Sequence, residues 1–403
     1  MRVLLAVVLG LLAASPVPAA EVGDAARIEQ GRYLAILGDC APCHTASGGA
    51  PYAGGRPIAT PFGTLLTPNI TPDPETGIGG MRDEEFVSAL KSGIGRDGRH
   101  LYPAMPYPYY TLMTVDDALA LRRYLATLPA VKNVVVVNQL PFPFDVRAVM
   151  RVWNSLYFDK GEFRPDAAKS AEWNRGAWLV EGPGHCGACH TPKTKLGGDE
   201  TAKLFQGGVI GGWLAPNLTG DARIGLGAWS AEDIVTYLRA GVNRHTSASG
   251  PMVEVITEST AHMTDADLAA IAMYVKDQPA AGGGAVMVAG DPHAMAAGQA
   301  IYQDNCTSCH GPNGEGVAGL FPALRGNAVL QSSPAHNAIQ MILHGGQAPA
   351  TERAPTGLAM PGFAWKLNDD QIAAVTTYIR DSWGNAAAPV EARAVHGFRE
   401  NPR

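Results

Sequence analysis

Six cysteines fall in three pairs, Cys40 with Cys43, Cys186 with Cys189 and Cys306 with Cys309. Each pair is followed at once by a histidine, giving CAPCH, CGACH and CTSCH. Two thiols three residues apart at the start of a helix reach the two vinyl groups of one porphyrin and form thioethers with it. The next residue then projects its imidazole beneath the iron. This is the spacing of c-type haem attachment. One such motif could be a redox dithiol or half a zinc site, but zinc ribbons pair two CxxC motifs within a shorter reach. Three motifs with no cysteine left over predict three covalently bound haem c groups. His44, His190 and His310 are the expected proximal ligands.

A haem that only transfers electrons needs a second strong ligand, so that the iron changes oxidation state without changing coordination. Thioether sulfur favours the reduced state. One methionine beside a proline stands in a loop after each motif: Met105 in YPAMPYPYY, Met252 in SGPMVEV and Met360 in LAMPGFAW. Proline stiffens such a loop and removes a donor. Met113, Met263, Met273 and Met341 compete. The first two stand against closing helix caps, and the last two sit within helical patterns that suit core filling. His100, His245, His262 and His344 are the bis-histidine alternatives and read as surface or loop residues.

Elements that could hold these residues recur three times. A glycine and an aromatic precede each motif on a helical stretch: Gly31 with Tyr33, Gly176 with Trp178, Gly298 with Tyr302. Each unit closes on an amphipathic helix capped by Thr114, Thr264 or Asn368. Asp117, Asp267 and Gln371 stand three positions on, a capping box in the third copy and close analogues in the others. Tyr124, Tyr274 and Tyr378 keep one register along these helices, so the helix pair is expected to cross where the glycine admits the tyrosine ring. TPNIT at Thr67 and APNLT at Ala215 are repeated loops, with PALRG at Pro322 a weaker copy. Asn69 and Asn217 are candidate donors to a haem propionate, and Arg56 and Arg325 candidate countercharges. Turn chemistry alone is the rival reading. GGVIGG at Gly207 to Gly212 lacks the strand-to-helix context of a nucleotide loop.

The repeat divides the chain. Residues 1–20 read as a secretory leader: Arg2, an apolar run too short for a span, then small residues around Ala19 and Ala20. Haem units are expected over 24–129, 173–279 and 291–384, with a Pro/aromatic linker at 130–172, an Ala/Gly linker at 280–290 and a tail at 385–403. The first linker is too apolar for a loose tether. Phe142, Phe144, Trp153, Tyr157 and Phe158 mark it as a docking surface or as packing on the neighbouring unit. A charged fraction of 17% against 46% apolar residues suits packed domains, and a formal net charge of −6 removes a nucleic-acid reading based on a basic face. No later apolar run is long enough for a transmembrane helix.

GDCAPCHT, TPFGTLLTPNITPDPETGIG, LYPAMPYPYY, SAEWNRGAWLVEGPGHCGACHTP, NCTSCHGPNGEG and AMPGFAW together resemble the tri-haem cytochrome c subunits of membrane-associated bacterial dehydrogenases. The likeness runs from about Ala25 to Trp383. It implies an all-α fold of three tandem class I-type cytochrome c domains in the periplasm, attached peripherally to the cytoplasmic membrane through a complex. It implies electron flow from a catalytic dehydrogenase subunit of flavin, quinoprotein or molybdenum type to ubiquinone or a terminal oxidase. The segment after Trp383 departs from relatives that end in a membrane-docking amphipathic stretch, having little apolar face. A catalytic haem, as in a multi-haem peroxidase, would need an open iron position, and a methionine in every unit argues against it. A free periplasmic shuttle is the other alternative. No flavin, pterin or quinone-cofactor motif is present, so no dehydrogenase activity is expected from the chain alone.

Overall fold

The computed structural model describes residues 19–136, 138–283 and 289–400. The expected leader, save its last two residues, lies outside them, as do the centre of the second linker and the last three residues of the tail.

The same helix crossing occurs three times. The opening helices Ala19–Leu37, Ala171–Glu181 and Pro292–Asn305 pack on the closing helices Val115–Ala126, Asp265–Lys276 and Asp369–Arg380. At each crossing the opening helix presents the predicted glycine to the carbonyl of Ala120, Ala270 or Ala374. A Cβ added at Gly31, Gly176 or Gly298 would also lie 2.9, 2.9 or 2.7 Å from the Cβ of Tyr124, Tyr274 or Tyr378. Real Cβ atoms do not approach this closely, so glycine at these positions sets the interaxial distance. The caps form as the sequence suggests, with one exception. Thr114 with Asp117 and Asn368 with Gln371 exchange both bonds of a capping box. Thr264 accepts from the Asp267 amide at 3.2 Å, but the Asp267 carboxylate instead receives Arg175 and Tyr33.

The all-α expectation misses three antiparallel hairpins. They pair β1 (Pro57–Thr60) with β2 (Gly63–Leu66), β3 (Gly208–Ile210) with β4 (Trp213–Ala215), and β5 (Gly346–Gln347) with β6 (Ala359–Met360). GGVIGG is thereby explained. Ile210 pairs with Trp213, and Gly211 and Gly212 form the two-residue turn with φ of 57° and 82°. Positive φ at both central residues is what a type I′ hairpin requires.

The first two units share one contiguous hydrophobic core. Leu34, Leu37, Met113, Leu121 and Leu125 join Leu179, Val180, Phe205, Leu268 and Tyr274 in a single cluster, while Tyr302, Ile339, Leu343, Ile372 and Ile379 belong to a separate one. The second and third units meet differently, through polar contacts. The backbone amide and carbonyl of Leu214 bond to the Asn337 side chain at 2.8 and 2.9 Å, and Arg223 donates to Ala386 O at 2.9 Å.

The described residues of the first linker fold onto the first unit. Gln139 extends the first hairpin through paired backbone bonds to Thr64. Val149–Tyr157 then forms a helix that buries Met150 and Trp153 against Tyr107, whose hydroxyl donates to Asn154 at 2.6 Å. Phe158 stands edge-on to Tyr107 at 5.2 Å, and Phe144 meets Phe62 at 4.8 Å. Of the expected docking aromatics, only Phe142 is largely exposed, at 82%. Intramolecular packing, the rival reading, accounts for the others. The tail also folds. Ala392–Glu400 is a helix that buries Val395 in the third core, with Arg399 held by Asp369 and by the carbonyls of Ala364 and Leu367. Among the described residues no helix is long and apolar enough to cross a membrane.

Candidate haem attachment sites

Each motif forms a single short helical turn directly after, or one sharp bend from, its opening helix: Cys40–Cys43, Gly187–His190 and Thr307–His310. The six cysteines are unpaired and half-buried. Their thiol sulfurs stand in for the thioether sulfurs that attachment of haem would form. Burial pushes the thiols of Cys40 and Cys186 up to about 12 and those of Cys43 and Cys306 to about 11, so none of these four is a reactive thiolate.

The three histidines share one anchor. His44 Nδ1 bonds the carbonyl of Pro68 at 2.8 Å, His190 Nδ1 that of Pro216 at 2.6 Å, and His310 Nδ1 that of Pro322 at 3.0 Å. A carbonyl can only accept, so Nδ1 carries the proton and Nε2 is left with its lone pair. This is the tautomer and orientation of an imidazole prepared to ligate iron. Burial lowers all three imidazoles below the usual histidine value, against a smaller upward pull from the proline carbonyls, which keeps them neutral. Two half-buried thiols and an oriented neutral imidazole on one turn fit covalent haem at all three motifs.

Of the methionines, Met105 sits half-buried in the tight turn before Tyr107, on the rim of both the shared core and the Trp153 cluster. Met252 is the second residue of the helix Pro251–Glu258 and is half-buried. Met360 pairs with Gly346 across the third hairpin and borders the third core. The competitors Met113 and Met263 are core residues, 2% and 8% exposed. Met273 is exposed, and Met341 lies against Gly346. The alternative histidines have other partners: His100 receives Arg151, His245 stacks on Trp229 and bonds Asp233, His262 bonds Thr257 O, and His344 bonds Phe398 O.

The repeated Pro-Asn loops act differently from the propionate reading. Asn69 Nδ2 donates to Val131 O at 2.7 Å and Asn217 Nδ2 to Ala281 O at 2.7 Å, while their Oδ1 atoms accept from the amides of Thr71 and Thr219. Both asparagines therefore tie the end of a unit back to the loop whose proline carbonyl holds the histidine. Arg56 donates to Pro42 O, between the first two cysteines, and pairs with Glu254; Arg325 is exposed.

Sequence reasoning missed three further groups. His185, at φ 37°, stands between the rings of Tyr109 and Tyr110 at the seam of the first two units. Tyr109 donates to Asp199, which also pairs with Lys193. Asp39, with left-handed backbone at φ 51°, is 9% exposed, and its Oδ1 has no hydrogen-bond partner among the described residues. Burial raises this carboxyl to about 7, helped by Glu254 and Glu258 and opposed by Arg56. The only hint in the sequence is Gly38-Asp39 before Cys40, a dipeptide that suits a turn.

A family model described as Cytochrome c matches residues 174–279 and 295–383. The chain is 38% identical over 425 residues to the gluconate 2-dehydrogenase cytochrome c subunit of Pantoea cypripedii, covering all of this chain and 96% of that protein. The chain belongs to the dehydrogenase cytochrome c subunit family. It is also 40% identical to the cytochrome c subunit of the quinone-dependent alcohol dehydrogenase of Gluconobacter oxydans, over 95% of this chain and 84% of the other. With the fructose dehydrogenase cytochrome subunit of Gluconobacter japonicus it shares 36% identity, over 92% and 82%. The family model leaves the first motif unmatched, although His44 has the same proline anchor as the other two cytochrome sites.

Proposed function

We propose that the protein is the electron-transfer subunit of a dehydrogenase complex, carrying one haem c in each of three tandem cytochrome c domains at 24–129, 173–279 and 291–384. Bound haem supplies one-electron chemistry. The chain supplies six cysteines for attachment, His44, His190 and His310 as proximal ligands, and Met105, Met252 and Met360 as distal ligands. The observation that carries this reading is the threefold proline-carbonyl anchor, which leaves three Nε2 atoms free beside three cysteine pairs. In this reading the chain is exported by its leader and works in the periplasm. It receives electrons from a catalytic subunit and passes them to ubiquinone or a terminal oxidase. The test is purification of the native complex with its haem counted in alkaline pyridine. Three haem c per chain, reduced by substrate only when the catalytic subunit is present, is the expected result. Two haems per chain, or substrate-driven reduction of the isolated chain, refutes it.

A further inference from the structure

The seam between the first two units joins more than their apolar core. Arg56 Nη1 donates to Pro42 O at 2.8 Å, inside the first attachment motif. The same guanidinium grips Glu254 with two bonds, Nη1 to Oε1 at 2.5 Å and Nη2 to Oε2 at 3.0 Å. Glu254 lies two residues after Met252, on the helix Pro251–Glu258, and that helix packs against the turn Cys40–Cys43. Tyr109 of the first unit covers Gly187, where a Cβ would meet its ring at 3.2 Å.

We infer that the first and second haem sites form a coupled pair, and that the Arg56–Glu254 ion pair is the positioning element that links them. The inference rests on the three-haem reading above. One guanidinium holds the peptide between the cysteines of the first site and the helix that carries the sixth ligand of the second. Bidentate arginine–carboxylate geometry fixes direction as well as distance, which lysine cannot reproduce. Any change at one end is therefore transmitted to the other, and such coupling is reciprocal. Among the described residues, the third site has no comparable link to either.

The experiment is a spectroelectrochemical titration of the full holoprotein and of Arg56→Gln, Glu254→Gln, the double variant and Arg56→Lys. The first and second waves are assigned beforehand with Met105→Leu and Met252→Leu. Each Gln variant should move the midpoints of both the first and second sites and leave the third in place. The double variant should depart from the sum of the singles, and Arg56→Lys should restore the wild-type midpoints only in part. The displacement should shrink in high salt, because both side chains are about one-third exposed, at 35% and 39%. Shifts confined to one site, or strictly additive shifts, would overturn the coupling. Loss of a haem from the wild-type count would instead refute the three-haem reading, so the two failures are distinguishable.

Discussion

At the scale of residues, the attachment sites were legible because cysteine and histidine spacing is itself the chemistry. The proline anchors were not legible, because a backbone carbonyl acceptor leaves no signature of residue type. The protein partners of Arg56 and the two asparagines were not legible for a related reason: Glu254, Val131 and Ala281 are remote in sequence. Replacing Met105, Met252 or Met360 by Leu conserves volume and removes the sulfur. Each variant should lose the methionine-to-iron absorption of one haem in three and lower that site's potential, as read by absorption spectra and redox titration. Asp39 gives a pH prediction. Its folded value is raised from 3.8 to about 7, mainly by burial, so folding disfavours the ionised form. The penalty is absent at low pH, grows as pH rises past the ordinary aspartate value and is complete above about 7. Asp39→Asn should therefore raise the melting temperature at pH 8 and leave it unchanged near pH 3.5. The same substitution should flatten a fall in the first haem's midpoint around pH 7, a fall limited to about 59 mV per pH unit for one electron.

At the scale of elements, the repeated glycine–tyrosine register predicted the helix crossings, because a close approach can be met only by a residue without Cβ. Gly176→Ala should destabilise by about 1–3 kcal/mol, since the alanine methyl would meet the Ala270 carbonyl and the Tyr274 Cβ. A lower urea midpoint with an unchanged slope is the expected outcome; an unchanged midpoint would mean that the crossing relaxes freely. Asn217→Ala should cost about 1–3 kcal/mol by leaving the Ala281 carbonyl and Thr219 amide without that partner. It should also loosen the loop that anchors His190, visible as a shifted second midpoint. The hairpins escaped the sequence reading because strands of two to four residues are too short to show alternation. The Val149–Tyr157 helix escaped it because prolines and aromatics before it read as linker, whereas Met150 and Trp153 in fact follow a helical period onto Tyr107.

At the scale of the whole molecule, the repeat in the sequence anticipated the threefold helix crossing but not how unequally the segments around the crossings are joined. Composition cannot distinguish a core that runs through two units from two cores side by side. The first seam has a continuous apolar core; the second rests mainly on hydrogen bonds of Asn337, Arg223, Asn327 and Gln340, with the Pro349 ring set against Gly241. Cooperativity follows buried apolar contact, so calorimetry of the holoprotein should resolve two transitions, one of them carrying the third unit alone. Substituting Asn337 by Ala should separate the transitions further without abolishing either. A single transition unaffected by Asn337→Ala would show that the polar seam is as cohesive as the apolar one. The unequal seams also bear on heredity. A gene can gain or lose a terminal unit at a joint made of a few replaceable hydrogen bonds, because neither side must rebuild its interior. A joint made of shared interior resists such exchange, because parting the first two units would expose the apolar side chains they bury together.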